Sequence, residues 1–169
     1  MILFKSRSLL PAAAALACCG LTASASAQVV IDIPADVACA GFPLRVELYT
    51  TAGHLMDRVF IDKNGNPVRI LQAGQNFPVK FTNLTTGSTY SVKAEGTVLS
   101  VTLNPDGSET HVMTGHTLIS WTVTDPQDAS PAPGTFRYVG RLVMNVANGN
   151  VLTVPKFTGR KTDICAALS

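Results

Sequence analysis

Apolar residues in this chain recur at every second position, in short runs separated by glycine, proline, asparagine and aspartate. In Leu44–Tyr49, for example, Leu44, Val46 and Leu48 alternate with more polar residues. Because successive side chains of a strand point to opposite faces, this pattern predicts β-strands with one buried face each. The period of 3.6 residues that indicates an amphipathic helix is almost nowhere present.

The alternating runs extend along the whole chain after residue 28, without an internal repeat or linker. They lie at 29–33, 44–49, 59–61, 68–71, 77–82, 90–95, 99–103, 119–123, 136–146 and 152–157. We therefore predict about ten strands in one all-β domain. The expected architecture is an antiparallel β-sandwich, immunoglobulin- or fibronectin-like, or a partly closed barrel.

The first 27 residues have the features of a secretory signal peptide. Lys5 and Arg7 precede the apolar run Leu9–Leu21, and the small residues Ala25–Ala27 offer a cleavage site before Gln28. The apolar run is too short to span a bilayer as a helix. The sequence thus predicts a signal at 1–27, a single exported domain at 28–169, and no transmembrane segment in the mature chain.

A second processing route is open at Ala15–Cys18, which loosely resembles the cleavage box of bacterial lipoproteins. In that route Cys18 would be lipidated and would become the first residue. The alternative localisation is therefore an extracytoplasmic protein that is lipid-anchored through Cys18.

The charge of the chain belongs largely to its signal. The sequence has 13 Lys and Arg against 11 Asp and Glu, and two of the basic residues are Lys5 and Arg7. The mature part is therefore balanced, and no run of basic residues remains to neutralise phosphates. We expect no nucleic acid partner, an unidentified extracellular ligand or protein partner, and a monomer.

Cys39 and Cys165 remain after the signal is removed, near the two ends of the mature chain. In an exported protein such a pair favours one disulfide bond over free thiols or half of a metal site. A bond that closes so long a loop is expected to stabilise the fold by roughly 4–5 kcal/mol.

The segment Asp62–Asn66 places oxygen-bearing side chains at alternate positions, as calcium loops do. The glycine and the acid that such a loop needs further along are absent at the required positions. Asn64-Gly65 is instead the pair that favours a two-residue type I′ hairpin turn. The segment is therefore predicted to be a hairpin rather than a site.

Candidates for catalysis are few. His111 and His116 stand five positions apart, with Glu109 in phase with His111 and a proline-rich segment at 125–134 that is either a crossover or a binding loop. On one straight strand the two histidines would face opposite sides, although a bend at Gly115 could bring them together. We predict no catalytic residue, no metal site and no cofactor, with a small hydrolase or metal-dependent enzyme around His111 and His116 as the alternative.

Binding residues are sought among side chains on the polar side of their strands. Tyr49 and Phe60 are aromatic residues in such positions, and they are the candidates for an exposed aromatic surface. Arg137 and Arg141 lie on one face of a predicted strand, where they could hold a carboxylate or an anionic polymer.

Two resemblances follow from short motifs. Leu84–Val92 resembles the tyrosine corner of fibronectin type III domains, which implies sandwich-like packing around Tyr90. A broader set of short motifs resembles those of a family of small exported, β-rich proteins of high-GC Gram-positive bacteria. These motifs are Asp62–Asn66, Phe81–Leu84, Asn104–Gly107, Thr114–His116, Tyr138–Arg141 and Asp163–Leu168. The resemblance implies a bacterial, extracytoplasmic protein, and it brings no activity or site with it.

Together these features predict an exported, non-catalytic β-domain. It would act outside the membrane by binding or as a structural component of the envelope or of the extracellular space.

Overall fold

The computed structural model describes residues 28–50, 54–122, 125, 133–147, 150–151 and 156–169, and these residues form an all-β sandwich closed by one short helix. The elements are β1 (Gln28–Ile33), β2 (Leu44–Tyr49), β3 (His54–Ile61), β4 (Pro67–Gln75), β5 (Val79–Asn83), β6 (Thr89–Val92), β7 (Gly96–Leu103), β8 (Glu109–Trp121), β9 (Gly134–Ala147), β10 (Asn150–Val151), β11 (Lys156–Asp163) and α1 (Ile164–Leu168). The predicted class and antiparallel architecture are confirmed.

The strands form two antiparallel sheets. The small sheet has the order β1-β2-β5-β6, and the large sheet has the order β10-β9-β8-β7-β4-β3, with β11 also paired to β9. Consecutive strands are mostly neighbours, joined by hairpins. No helix among the described residues is long and apolar enough to cross a membrane.

The large sheet has two chemically different faces, because residues that pair across strands share a face. One side, the tryptophan face, contains Trp121, Phe136 and Leu142, which are buried with Tyr138 and Met144 in one core. The other side, the arginine face, contains Arg137 and Arg141. The two faces therefore differ in chemical character.

The small sheet covers only one end of the arginine face. Its core includes Leu44, Phe81 and Val92, and Leu118 of β8 packs against them from the arginine face. The rest of that face, beyond a row of glycines described next, carries exposed side chains.

A row of glycines crosses the large sheet. The strand registers align Gly74, Thr97, Gly115, Gly140 and Gly159 from β4 to β11. A Cβ atom on Gly140 would lie 2.2 Å from the carbonyl oxygen of Thr158, and one on Gly115 would lie 2.5 Å from that of Gly96. Glycine therefore lets neighbouring backbones come closer here than side chains would permit, which is how sheets kink.

The disulfide between Cys39 and Cys165 is formed, as predicted, and it joins the β1–β2 connection to α1. Ile164 and Leu168 of the helix are fully buried in the core of the small sheet. Asn83 is also buried, and its side-chain amide donates a hydrogen bond to the Leu168 carbonyl at 3.1 Å. The C-terminal helix is thus held to the small sheet at several points.

The hairpin at Asp62–Asn66 is confirmed, but its predicted turn type is wrong. Asp62 and Asn66 close a three-residue loop, with Gly65 at φ 85° and Asn64 not among the residues of positive φ. A type I′ turn would need positive φ at both central residues. The Asp62 carboxylate accepts the backbone N–H groups of Asn64 and Asn66 at 2.8 and 2.9 Å, which favours the longer loop.

Several boundaries differ from the prediction. The first part of β8 and most of β11 were not predicted as strands, nor was α1. The signal at 1–27 with Cys18, the proline-rich 126–132 and residues 152–155 of the last predicted strand lie outside the described residues.

Candidate binding site

Three side chains form a polar cluster between the two sheets. Glu95, which lies between β6 and β7, accepts hydrogen bonds from Arg137 of β9 at 2.5 and 2.7 Å. His116 of β8 contacts the same carboxylate through Nδ1 at 2.5 Å. The Asn76 amide donates to the His116 carbonyl at 2.9 Å. The sequence analysis placed Glu95 at the end of the predicted strand 90–95 and missed its role, because its partners come together only through the fold.

The charges of Glu95 and Arg137 compensate each other within this cluster. Burial raises the pKa of Glu95, but hydrogen bonds from Arg137 and His116 outweigh it and lower the pKa below its usual value. Glu95 in turn raises the pKa of Arg137. The adjoining cleft, lined by Phe77 and Leu118 among others, has room for about one water molecule. The cluster ties the sheets together and offers little space to an organic ligand.

Arg137 and Arg141, predicted to bind one anion together, are in different environments in the fold. The Arg137 guanidinium is directed to Glu95, and only 15% of its side chain is exposed. Arg141, four residues further along β9, is exposed and forms no ion pair with a described residue. Of these two arginines, Arg141 alone is therefore available to a ligand.

The two predicted aromatic residues lie on different sheets. Tyr49 ends β2 of the small sheet, and Phe60 lies in β3 of the large sheet, both half-buried. The guanidinium carbons of Arg69 and Arg58 lie 4.1 and 5.1 Å from the centroid of the Phe60 ring. Phe60 is thus part of a cation–π group, and the two residues do not form a joint aromatic surface.

The histidines of the enzyme alternative lie on opposite faces of β8. His111 is on the tryptophan face, where Nε2 contacts Glu109 at 2.6 Å, and His116 is on the arginine face with Glu95. Glycine at position 115 does not bring them together. Within the described residues, no group of three or more His, Cys, Asp or Glu side chains is placed to hold a metal ion.

The uncovered part of the arginine face collects basic residues from four strands. We call it the basic surface, and its charged and aromatic members are Arg58, Phe60, Arg69, Arg141, Lys156 and Arg160. None of its cations is in an ion pair with a described residue. Arg58, Phe60, Arg69 and Arg141 lie in or beside predicted strands, but the β11 strand with Arg160 and the strand order that unites these residues were not predicted.

The acids of these strands lie elsewhere. Asp57 is on the tryptophan face, where it accepts from the Gln72 amide at 2.8 Å. Glu109 is on the same face beside His111. The basic surface therefore has an excess of positive charge, although residues 28–169 as a whole have equal numbers of acids and bases.

Comparisons with protein-family models, with curated proteins and with solved structures find no match to this chain.

Proposed function

We propose that this protein is an exported, non-catalytic β-domain that binds a ligand outside the membrane through the basic surface. The observation that carries the proposal is the uncovered part of the arginine face, where exposed Arg58 and Arg69 lie over Phe60 and form no ion pair with a described residue. Unpaired charges and a partly exposed aromatic ring are the groups from which binding surfaces are made.

Export is supported by two independent features. The N-terminal 27 residues have the order of charged, apolar and small residues found in secretory signals. The bond between Cys39 and Cys165 is of a kind that persists in oxidising compartments. A disulfide bond that links two distant segments of the domain therefore favours an extracytoplasmic location.

The test of export is the fate of the full chain in a Gram-positive host. We expect the protein outside the cytoplasm, with the mass of a chain that begins at Gln28. The mass of a chain that begins at a lipid-modified Cys18 would support the anchored form instead. Retention of the full-length chain in the cytoplasm would contradict the proposal.

Binding is tested by co-sedimentation of the exported protein with isolated cell envelopes of that host. Phe60→Ser should lower the bound fraction at least about fivefold, since its ring lies against the Arg58 and Arg69 guanidinium groups, and aromatic and arginine side chains carry much of an interface's energy. Tyr49→Ser, a matched change on the other sheet, should leave binding unchanged. Equal binding by both variants would place the interface elsewhere, and loss of folding is checked by circular dichroism.

A further inference from the structure

Resting on the proposed function, we infer that the ligand of the basic surface is an acidic polysaccharide, bound as an extended chain across the strands. Cations lie at both ends of the basic surface, exposed hydroxyl groups lie between them, and one aromatic ring is present among its residues.

One end of the basic surface is built by the β3–β4 hairpin. Arg69 pairs with Phe60 across the two strands, and Arg58 precedes Phe60 by two residues on the same face. Both guanidinium groups lie over the ring, which fixes their positions while their outer edges stay exposed. Guanidinium groups held in this way can fork onto carboxylate or sulfate oxygens.

The other end is built by β9 and β11. Lys156, Thr158 and Arg160 alternate along β11, so that they share a face. Arg141 pairs with Thr158 and is therefore diagonal to both Lys156 and Arg160, at about 7–8 Å between Cα atoms. These cations are exposed and would repel one another without an anion between them.

Between the two ends lie the half-buried side chains of Leu71, Ser100, Val112 and Val143. The registers place Arg58 and Lys156 in one row that crosses six strands, and at the usual strand spacing this row is about 24 Å long. Exposed Thr102 and Thr114 lie beside the row. A single small anion would meet one end only, whereas a polymer could place acidic groups at both ends and sugar hydroxyls against the threonines.

The composition of the surface favours a polysaccharide over a nucleic acid. Proteins that bind single strands rely on several aromatic rings for base stacking. The basic surface has one ring, Phe60, and it already stacks with two arginines. Its uncovered hydroxyl groups match the hydrogen-bonding groups of a sugar chain.

The experiment measures binding of the exported protein to polygalacturonate and to heparin by affinity electrophoresis, with dextran as the neutral polymer and a short duplex DNA as the competing polyanion. We expect retardation by the acidic polysaccharides that weakens steeply between about 50 and about 200 mM salt, and none by dextran. Arg58→Gln with Arg141→Gln should weaken binding at least about tenfold at the lower salt.

The matched control is Lys80→Gln with Lys93→Gln, which removes the same charge from the small-sheet end of the molecule. This control should change affinity less than about twofold. Equal losses in the two double variants would show attraction by net charge and would overturn the inference, as would tighter binding to the duplex than to either polysaccharide. If the protein binds envelopes but neither acidic polysaccharide, the inference fails while the proposed function stands.

Discussion

Glu95 is a single side chain that connects several elements of the fold. It joins β9 through Arg137 and β8 through His116, and 23% of its side chain is exposed. Its hydrogen bonds to Arg137 lie between the sheets rather than within one. The cluster is thus a candidate for holding the two layers of the sandwich in register.

Glu95→Gln tests this role. The change should lower the free energy of unfolding at pH 7 by about 1–3 kcal/mol, because two charge-assisted hydrogen bonds are weakened and Arg137 loses its counter-charge. The measurement is urea unfolding followed by tryptophan fluorescence. Asp32→Asn, which breaks the exposed pair with Arg45, is the control and should leave the midpoint almost unchanged.

The pH dependence of the same pair of proteins gives a second readout. Since the pKa of Glu95 is lowered in the folded state, its contribution is complete above the unfolded value of about 4.5 and is lost as the pH falls through the folded pKa. The difference in stability between wild type and Glu95→Gln should therefore shrink below about pH 4.5. A difference that stays constant down to pH 3 would contradict the assignment.

At the scale of elements, the decisive feature is the glycine row across the large sheet. Gly115 and Gly140 pair directly on β8 and β9, and both have positive φ, at 100° and 145°. No side chain fits where their neighbours' carbonyl oxygens lie. The row separates the end of the arginine face that meets the small sheet from the end that carries the basic surface, except for Arg160, which lies one residue past Gly159 on the small-sheet side.

A graded series of alanine substitutions tests the row. Gly140→Ala should lower the free energy of unfolding by at least about 3 kcal/mol, because it adds both a steric overlap and an unfavourable backbone conformation. Gly65→Ala, at φ 85° with nothing within 4 Å of the added Cβ, should cost only the backbone term of about 1–2 kcal/mol. Gly96→Ala, whose Cβ would lie 4.0 Å from the Gly74 carbonyl oxygen, should change stability least.

The measurement for this series is again urea unfolding, with the folded state checked by circular dichroism. Failure of Gly140→Ala to fold at all agrees with the prediction. Equal stabilities for the Gly140 and Gly96 variants would mean that close approach of the strands is not required.

The elements themselves were predicted unevenly, and the reason is local. Strands such as β2 and β7 were predicted because one parity is apolar and the other polar. The β11 segment KFTGRKTD has a single apolar residue, so its strand conformation comes from pairing with β9 rather than from its own pattern. In β8 the alternation is obscured by His111 and Gly115, which stand at positions of the tryptophan face.

For the whole molecule, the bond between Cys39 and Cys165 closes a loop that contains most of the chain. Its sequence separation is 126, and it joins the segment before β2 to the C-terminal helix. Reduction should therefore lower the free energy of unfolding by about 4–5 kcal/mol through the greater entropy of the unfolded chain.

The measurement compares urea unfolding with and without dithiothreitol. The double variant Cys39→Ser with Cys165→Ser should match the reduced protein and should not respond to the reductant. Alkylation of both cysteines in the denatured, unreduced protein would show that the bond is absent in solution and would contradict the prediction.

Charge is also organised at this scale. Residues 28–169 have as many acids as bases, which predicted no nucleic acid partner. In the fold, Asp57 and Glu109 lie on the tryptophan face, while Arg58 and Arg141 lie on the arginine face. Because acids and bases are segregated between the faces, a chain with balanced charge has a basic surface. Net charge alone does not predict this surface.

The sequence by itself determined the all-β class, the hairpin at Asp62–Asn66 and the disulfide partners, because alternation, turn chemistry and the two cysteines after residue 27 are local or countable signals. Only the tertiary structure decided which strands are neighbours. That choice directed Arg137 to Glu95, separated Tyr49 from Phe60, and placed Arg141 on one face with the arginines of the β3–β4 hairpin. The physical reason is that pairing between distant strands depends on register and packing of the whole sheet, which no short segment encodes.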